Sequence, residues 1–309
     1  MIAGADRCAL DELDSRLRVV LPEEYQETYE RIEPRPMRST GLKYAGDGRV
    51  AWDKIWGSFC DLAMAGGPPH KGTLLEPGSR ADIDAAPDRY RTVADEICRG
   101  VSLATQMPAD PAADPGWIRV ECYGEAMAGW LVRAITMENV AVRAAGASVD
   151  LPASPAFRLD KEIKNVVTVI AKTSHYWLGH MPRWQQRAIA ALFRTLDAGM
   201  PLITPAVAVD ERRGDDDRTL VAALADRVRE RTGLPLSHHR YAGWLGVDCP
   251  NVRGAIWMMR ALVVSNVLAR REGLTLFVPV NATLDADGTR VAELVTRVHQ
   301  LAAARGVFD

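Results

Sequence analysis

The sequence predicts an α/β fold of two pseudo-symmetric three-layer halves with parallel sheets, preceded by an N-terminal helical extension. The first observation is an internal repeat: residues 116–152 align without a gap on residues 243–279, and 13 of the 37 aligned positions carry the same residue. The second is that both segments alternate strand, helix and strand patterns, which is typical of a βαβ unit with parallel strands. We interpret the repeat as an internal duplication whose products lie around a pseudo-twofold axis, as the subunits of a C2 dimer do.

The repeat also divides the chain. Residues 1–66 form the predicted helical extension, because apolar residues recur at helical spacing in 9–20 and 52–65. Residues 67–181 form the first predicted α/β repeat, and residues 182–309 form the second.

Each repeat contains two short β patterns around one helical pattern. The first β pattern begins at Trp117 or Trp244. The helix that follows is expected to end at Gly146 or Gly273, since glycine is the usual residue just beyond a helix. The second β pattern follows that glycine directly, so the crossover would make the two strands parallel.

Charge and composition limit the classes of partner. The chain has 38 basic and 40 acidic residues, which alternate instead of forming a basic patch, so no nucleic acid is expected. The first 30 residues contain no uninterrupted apolar stretch, so neither a signal peptide nor a membrane helix is expected, and the cytoplasm is predicted. Five cysteines without regular spacing fit reduced thiols. We expect a small-molecule substrate and no membrane partner, and the sequence leaves open whether a homo-oligomer forms.

Two repeated cysteines are the candidate catalytic groups. Cys122 and Cys249 each stand where a predicted strand ends and a helix begins, the edge at which open α/β sheets bind ligands. A helix N-terminus lowers the pKa of a thiol. Two thiols facing one substrate from opposite sides would suit a two-base racemase or epimerase. A buried structural role for each Cys is the alternative.

The layout of two α/β halves with one Cys each is similar in outline to the aspartate/glutamate racemase superfamily. The resemblance implies a cofactor-independent proton transfer between the two thiols. The residues after the cysteines differ from the small hydroxyl or amide residues of that family, being Tyr-Gly-Glu after Cys122 and Pro-Asn-Val after Cys249.

Several basic residues are candidates for holding an anionic substrate. Arg133 and Arg260 occupy equivalent positions in the two copies. His70 and Lys71 lie in a glycine-rich stretch whose backbone N–H groups would suit a phosphate or carboxylate, although a structural turn is the simpler interpretation.

A repeated polar pair is also a candidate for substrate binding. Asn139 and Arg143 are repeated as Asn266 and Arg270, and on the predicted helix they lie opposite the apolar stripe. Since solvated faces usually diverge after a duplication, we expect the other half or a ligand to cover this face. Capping of the helix carbonyls by each Arg is the alternative.

Histidines supply the remaining candidates. His239, in the loop before the second repeat, is the candidate general base of that half. His175 and His180 fall in one predicted helix, where a spacing of five residues puts them about 140° apart. They would then share a metal ion only if Gly179 broke the helix. No metal site is therefore predicted, and the sequence does not identify a cofactor.

These residues lead to alternative functions. The leading prediction is an enzyme, a cofactor-independent isomerase or lyase, that acts on a small anionic metabolite where the two repeats meet. The alternative is a protein that binds a metal, a tetrapyrrole or another cofactor in the same cleft, with His175, His180, His238 or His239 as ligands. A third is a structural partner in a complex that docks through residues 1–66.

Overall fold

In the computed structural model, the described residues are 4–21, 41–54, 73–206 and 213–309. The chain forms two compact units. The first unit, Pro34–Arg187, contains the first repeat, and the second unit, Met1–Glu33 with Ala188–Asp309, contains the second repeat. In the part of the chain that the structure describes, no helix combines the length and the apolar content needed to cross a bilayer.

Helices make up most of both units. The N-terminal helix α1 packs on the last two helices of the second unit, while a short 3₁₀ turn at Trp52–Lys54 belongs to the first unit. The helices are α1 (Gly4–Val20), α2 (Arg80–Ala85), α3 (Pro87–Thr105), α4 (Glu125–Met137), α5 (Lys164–His175), α6 (Arg183–Gly199), α7 (Arg213–Thr232), α8 (Val252–Val263) and α9 (Thr289–Ala304).

Each unit contains one small antiparallel sheet, so the predicted three-layer halves with parallel sheets are wrong. The strands are β1 (Ala109–Pro111), β2 (Trp117–Glu121), β3 (Arg143–Ala145), β4 (Ser148–Pro152), β5 (Trp244–Asp248), β6 (Arg270–Glu272) and β7 (Thr275–Pro279). The first sheet has the order β1-β2-β4-β3 and the second has the order β5-β7-β6, with antiparallel neighbours throughout.

The error has a local physical cause. The central helix of each copy, α4 or α8, ends at Met137 or Val263, earlier than predicted. An additional short strand, β3 or β6, follows it. That strand is joined by a two-residue turn to β4 or β7, which lies between it and the first strand of the copy. The two predicted β patterns of each copy, β2 with β4 and β5 with β7, are therefore antiparallel neighbours. The strands β2 and β3, like β5 and β6, run in the same direction, but β4 or β7 lies between them.

The residues that end the central helices are asparagines. Asn139 and Asn266 have φ of 59° and 65°, the left-handed conformation that Asn tolerates better than most residues and that often ends a helix. Gly146 and Gly273, with φ of 62° and 57°, lie in the hairpin turns that follow. Glycine is favoured there because two-residue hairpin turns require positive φ.

Three strands of each copy, β2, β3 and β4 in the first and β5, β6 and β7 in the second, have the same order and the same register. Trp117 pairs with Pro152 in the first sheet and Trp244 pairs with Pro279 in the second, and each remaining β2–β4 pair has its β5–β7 equivalent 127 positions later. Beyond the left-handed asparagine, a parallel bridge joins Val140 to Leu75 in the first copy, and Val267 to Ile203 in the second. Duplication of an ancestral unit, which would explain this likeness, remains our proposal.

The core of each unit lies between its sheet and its helices. Ile118 and Val120 in β2, like Leu245 and Val247 in β5, are buried, as alternate residues of a strand on a core should be. On the central helices the repeated Trp130 and Trp257 are both 1% exposed. A shared position in the core accounts for the tryptophan that both copies have here.

The hairpin turn predicts a difference between two glycine substitutions in the second unit. A Cβ at either Gly273 or Gly199 would contact no atom within 4 Å, but only Gly273 has a positive φ. Gly273→Ala should therefore lower the free energy of unfolding by about 1–2 kcal/mol through backbone strain alone. Gly199→Ala, in a helix, should leave it unchanged or raise it by up to about 1 kcal/mol. Urea unfolding would measure both, and equal effects would contradict the assigned turn.

Candidate functional site

The two repeated cysteines lie at the expected strand ends, but their thiols are not activated. Cys122 is half-buried and Cys249 is buried, each in its own unit. Burial raises the pKa of each thiol to about 12, and at Cys249 the charge of Asp248 adds to this effect. The shift is opposite in direction to the one that an acid–base role requires. That role remains a prediction without support from the geometry.

The N-terminus of the helix after Cys249 is occupied by its own chain. The side-chain Oδ1 of Asn251 accepts a hydrogen bond from the backbone N–H of Gly254 at 2.7 Å. This cap uses one of the donors that would otherwise favour a thiolate or an anionic ligand.

Asn139 and Arg143 do not share a helix face, and neither do Asn266 and Arg270, so the predicted helical pairs are wrong. The asparagines end the helices, and the arginines lie on β3 and β6. The Asn266 amide donates to Asp197 Oδ1 at 2.7 Å and to the Met200 carbonyl at 2.6 Å. These asparagines therefore have a backbone role in both copies, and a role in substrate binding remains a prediction.

Arg143 in the first sheet is held by carboxylates and one ring. Its guanidinium donates to Asp150 at 2.8 Å and to Asp114 at 2.7 Å, and it lies 4.6 Å from the Trp117 ring centre. Arg119 also donates to Asp150, at 2.8 Å and 3.0 Å. Burial would raise the pKa of Asp150, but these two arginines outweigh it and hold that pKa below its ordinary value.

Arg270, which aligns with Arg143, contacts aromatic rings where Arg143 contacts those carboxylates. Tyr241 and Phe277 stand 127 positions after Asp114 and Asp150, and their ring centres lie 4.3 Å and 4.0 Å from the Arg270 guanidinium. The retained Trp244 is 5.1 Å away. Arg270 is fully buried and donates to Glu272 at 2.6 Å, a carboxylate that the first copy lacks. The repeated arginine therefore holds each sheet together through different partners.

The other predicted anion-binding residues are placed as follows. Arg133 and Arg260 lie on the central helices and are each 4% exposed, and Arg133 donates to the carbonyl of Gly129 in its own helix at 2.8 Å. His70 and Lys71 lie outside the described residues. Binding of a substrate by any of these four remains a prediction.

His239, the candidate general base, is on the surface of the second unit. Its side chain is 66% exposed, and its Nδ1 is 3.9 Å from Glu272 Oε2. That carboxylate accepts a hydrogen bond from the Tyr241 hydroxyl at 3.1 Å. No contact between His239 and Cys249 is found among the described residues.

One buried ion pair was missed by the sequence analysis. Lys172 Nζ lies 2.7 Å from Glu138 Oε2, with side-chain exposures of 3% and 7%. Burial lowers the pKa of Lys172, while the charge of Glu138 and its hydrogen bond act in the opposite direction. The pair joins the end of α4 to α5. The sequence points to this ion pair only in that Glu138 aligns with Ser265, so that the first copy alone has a carboxylate at this position.

The structure brings His175 and His180 together on the surface of the first unit. Helix α5 ends at His175 and continues into a π turn, Tyr176–His180, in which the N–H of Met181 donates to the Tyr176 carbonyl at 2.8 Å. The two imidazole rings have centres 5.0 Å apart and are inclined by 72°. Burial and the nearby His180 charge lower the pKa of His175. The separation of about 140° expected for an α-helix therefore does not apply.

A column of aromatic rings supports this pair. The His180 ring stacks on Tyr176 with centres 6.1 Å apart, and Tyr176 stacks on the buried Trp130 with centres 6.0 Å apart. Trp177 packs against Trp130 from another side, at 5.6 Å. Among the residues predicted to bind a ligand or a metal, these histidines are the pair that the described structure places in direct contact.

Comparisons with known proteins give no match for this chain. No protein-family model, no curated protein and no solved structure is similar to it. The function must therefore be argued from the geometry of its residues.

The raised thiol pKa values predict slow alkylation. At pH 8, Cys122 and Cys249 should react with iodoacetamide far more slowly than the exposed Cys8, because thiolates are the reactive species. Peptide mass spectrometry at increasing reaction times would measure the three rates in one sample. Rates for Cys122 or Cys249 equal to that of Cys8 would restore the case for an activated thiol.

The buried Arg270 predicts a large loss of stability when it alone is removed. Arg270→Met leaves the buried Glu272 carboxylate without its guanidinium partner, which should lower the free energy of unfolding by about 3–5 kcal/mol. The double variant Arg270→Met with Glu272→Gln should recover much of that loss. Arg143→Met is the matched control in the other copy and should cost less, since Arg143 is 28% exposed and Asp150 keeps Arg119. Urea unfolding of the wild type and the three variants would measure these differences. A double variant no more stable than Arg270→Met would contradict this account.

Proposed function

We propose that the protein binds a divalent transition-metal ion through His175 and His180, as an open metal site on the surface of the first unit. The observation that carries the proposal is the π turn between the two histidines. A turn closed by a bond from residue i+5 to residue i brings side chains five residues apart onto one side of the helix.

The separation of the rings fits a shared ion. Metal–nitrogen bonds are about 2.0–2.1 Å long, so the centres of two imidazoles on one tetrahedral ion would lie roughly 5 Å apart. The observed separation is 5.0 Å. The two ring centres are thus as far apart as a shared ion requires.

The surroundings leave the site open and hold one ligand in place. His175 and His180 are both exposed, and a Cβ at Gly179 would lie 3.5 Å from Cε1 and 3.7 Å from Nδ1 of His175. A side chain longer than glycine would thus extend over the nitrogen-bearing edge of that ring. The stacking of His180 on Tyr176 restricts the other ring. Preorganised ligands of this kind lose less conformational entropy when a metal binds.

The ligand set indicates the class of metal. Imidazole nitrogens suit Zn²⁺, Cu²⁺ and Ni²⁺ better than Ca²⁺ or Mg²⁺. Among the described residues, no group of three or more His, Cys, Asp and Glu side chains forms a larger metal cluster. Two protein ligands leave coordination positions for water or for a small molecule, so we propose an exchangeable site and not a structural one.

Metal titration of matched variants tests the proposal. Isothermal titration of the full chain with Zn²⁺ and with Cu²⁺ should give one site with Kd on the order of 1–100 μM, since two ligands supply roughly half of a structural site. His175→Ala and His180→Ala should each weaken binding by about tenfold or more. Gly179→Leu should also weaken it although both ligands remain. His238→Ala, which removes an exposed histidine elsewhere, should have no effect.

Electron paramagnetic resonance of the Cu²⁺ protein supplies an independent measurement. The proposal expects hyperfine coupling to two imidazole nitrogens in the wild-type protein and in His238→Ala, and to one in either site variant. Wild-type affinity in the double variant His175→Ala with His180→Ala would overturn it.

A further inference from the structure

The second unit contains a cleft whose chemistry differs from that of the histidine site. It has a volume of about 420 Å³ and lies where α1, α7 and α9 meet. Ala9 and Leu301 supply its apolar part, and its polar lining comes from Arg231, Glu293, Thr296, Arg297 and Gln300. The volume falls within the range of small-molecule sites.

The two arginines of the cleft differ from most arginines of this unit. Arg229 pairs with Asp226, Arg305 with Asp14, and Arg270 with Glu272. Among the described residues, neither Arg231 nor Arg297 has an ion pair or a side-chain hydrogen bond. Their guanidinium donors are therefore available to a ligand.

The position of Arg297 on α9 strengthens this point. Glu293 precedes Arg297 by four residues, the spacing at which opposite charges on a helix usually pair. No such pair forms between them within 4.0 Å in the described structure. Both side chains line the cleft, and Gln300, three residues after Arg297, adds an amide on the same face.

The charges of the lining select the ligand. Two guanidiniums and one carboxylate give a formal charge of +1, and guanidinium binds carboxylate and phosphate oxygens through paired hydrogen bonds. The Thr296 hydroxyl donates to the Ala292 carbonyl at 2.7 Å, so its oxygen remains an acceptor. Together with Glu293, it would accept hydrogen bonds from a hydroxyl or amino group of the ligand.

We infer that this cleft binds a small metabolite that carries a carboxylate or phosphate group together with a hydroxyl or amino group. The arginines have no counterpart in the first repeat, where Ala104 and Ile170 stand 127 positions earlier. The site belongs to the second unit alone and does not depend on the proposed metal site of the first.

Ligand titration at low ionic strength tests the inference. The full chain is titrated with inorganic phosphate, with succinate and with serine phosphate, and glycerol is the uncharged control. Binding should saturate at one site per chain for at least one anion. Saturation by phosphate alone or by succinate alone identifies the preferred oxyanion, and tighter binding of serine phosphate than of phosphate supports the role of Glu293 and Thr296.

Variants that each remove one positive charge distinguish binding in the cleft from nonspecific electrostatic attraction of anions to the protein. Arg231→Gln and Arg297→Gln should each raise Kd by about tenfold. Arg290→Gln removes the same charge from the same helix outside the cleft and should raise it by less than about twofold. Glu293→Gln should tighten binding of inorganic phosphate. The inference is overturned if no anion saturates, or if Arg290→Gln weakens binding as much as Arg231→Gln does.

Discussion

The fold of both units depends on one backbone constraint, the left-handed residue that follows each central helix. At Asn139 and Asn266 the chain leaves the helix and turns back along the sheet. The next residues, Val140 and Val267, then pair with an outer segment and lead into the short strands β3 and β6. The antiparallel order, the hairpin and the position of each repeated arginine all follow from this turn.

Part of this arrangement was predictable from the sequence. The repeat, its first strands and the starts of its central helices are found where the residue patterns place them. The ends of the helices were misjudged because Asn and Gly both adopt positive φ, and two such residues stand seven positions apart in each copy. Assigning the helix end to the glycine concealed one strand per copy and turned an antiparallel sheet into a parallel one.

The candidate sites were harder to predict. The proximity of His175 and His180 depends on a π turn, and residue spacing alone implies an α-helix of 3.6 residues per turn. Nor does the sequence show that Arg143 and Arg270 lie on strands. The replacement of Asp114 and Asp150 by Tyr241 and Phe277 becomes meaningful only once the shared register is known.

The two copies share the arrangement of their strands and differ in the side chains that surround the repeated arginine. In the first copy, carboxylates balance the charge of Arg143 at a half-exposed face of the sheet. In the second copy, aromatic rings and the buried carboxylate of Glu272 surround Arg270. Both proposed ligand sites use residues outside the matched segments: the metal site uses the end of α5 and its π turn, and the charged residues of the cleft lie on α7 and α9. One fold can support sites of different chemistry, so two unlike sites on two similar units are consistent with this fold.

The π turn also changes the direction of the chain beyond it. Helix α5 ends with this turn, because Met181 has an extended backbone (φ −77°, ψ 119°), and the separate helix α6 begins at Arg183. Met181 and Gln185 are buried beyond the turn, while Leu178 and Trp184 remain 48% and 54% exposed. Insertion or deletion of one residue in Tyr176–His180 would therefore displace both the imidazole of His180 and the buried side chain of Met181, which makes the length of the segment as constrained as its composition.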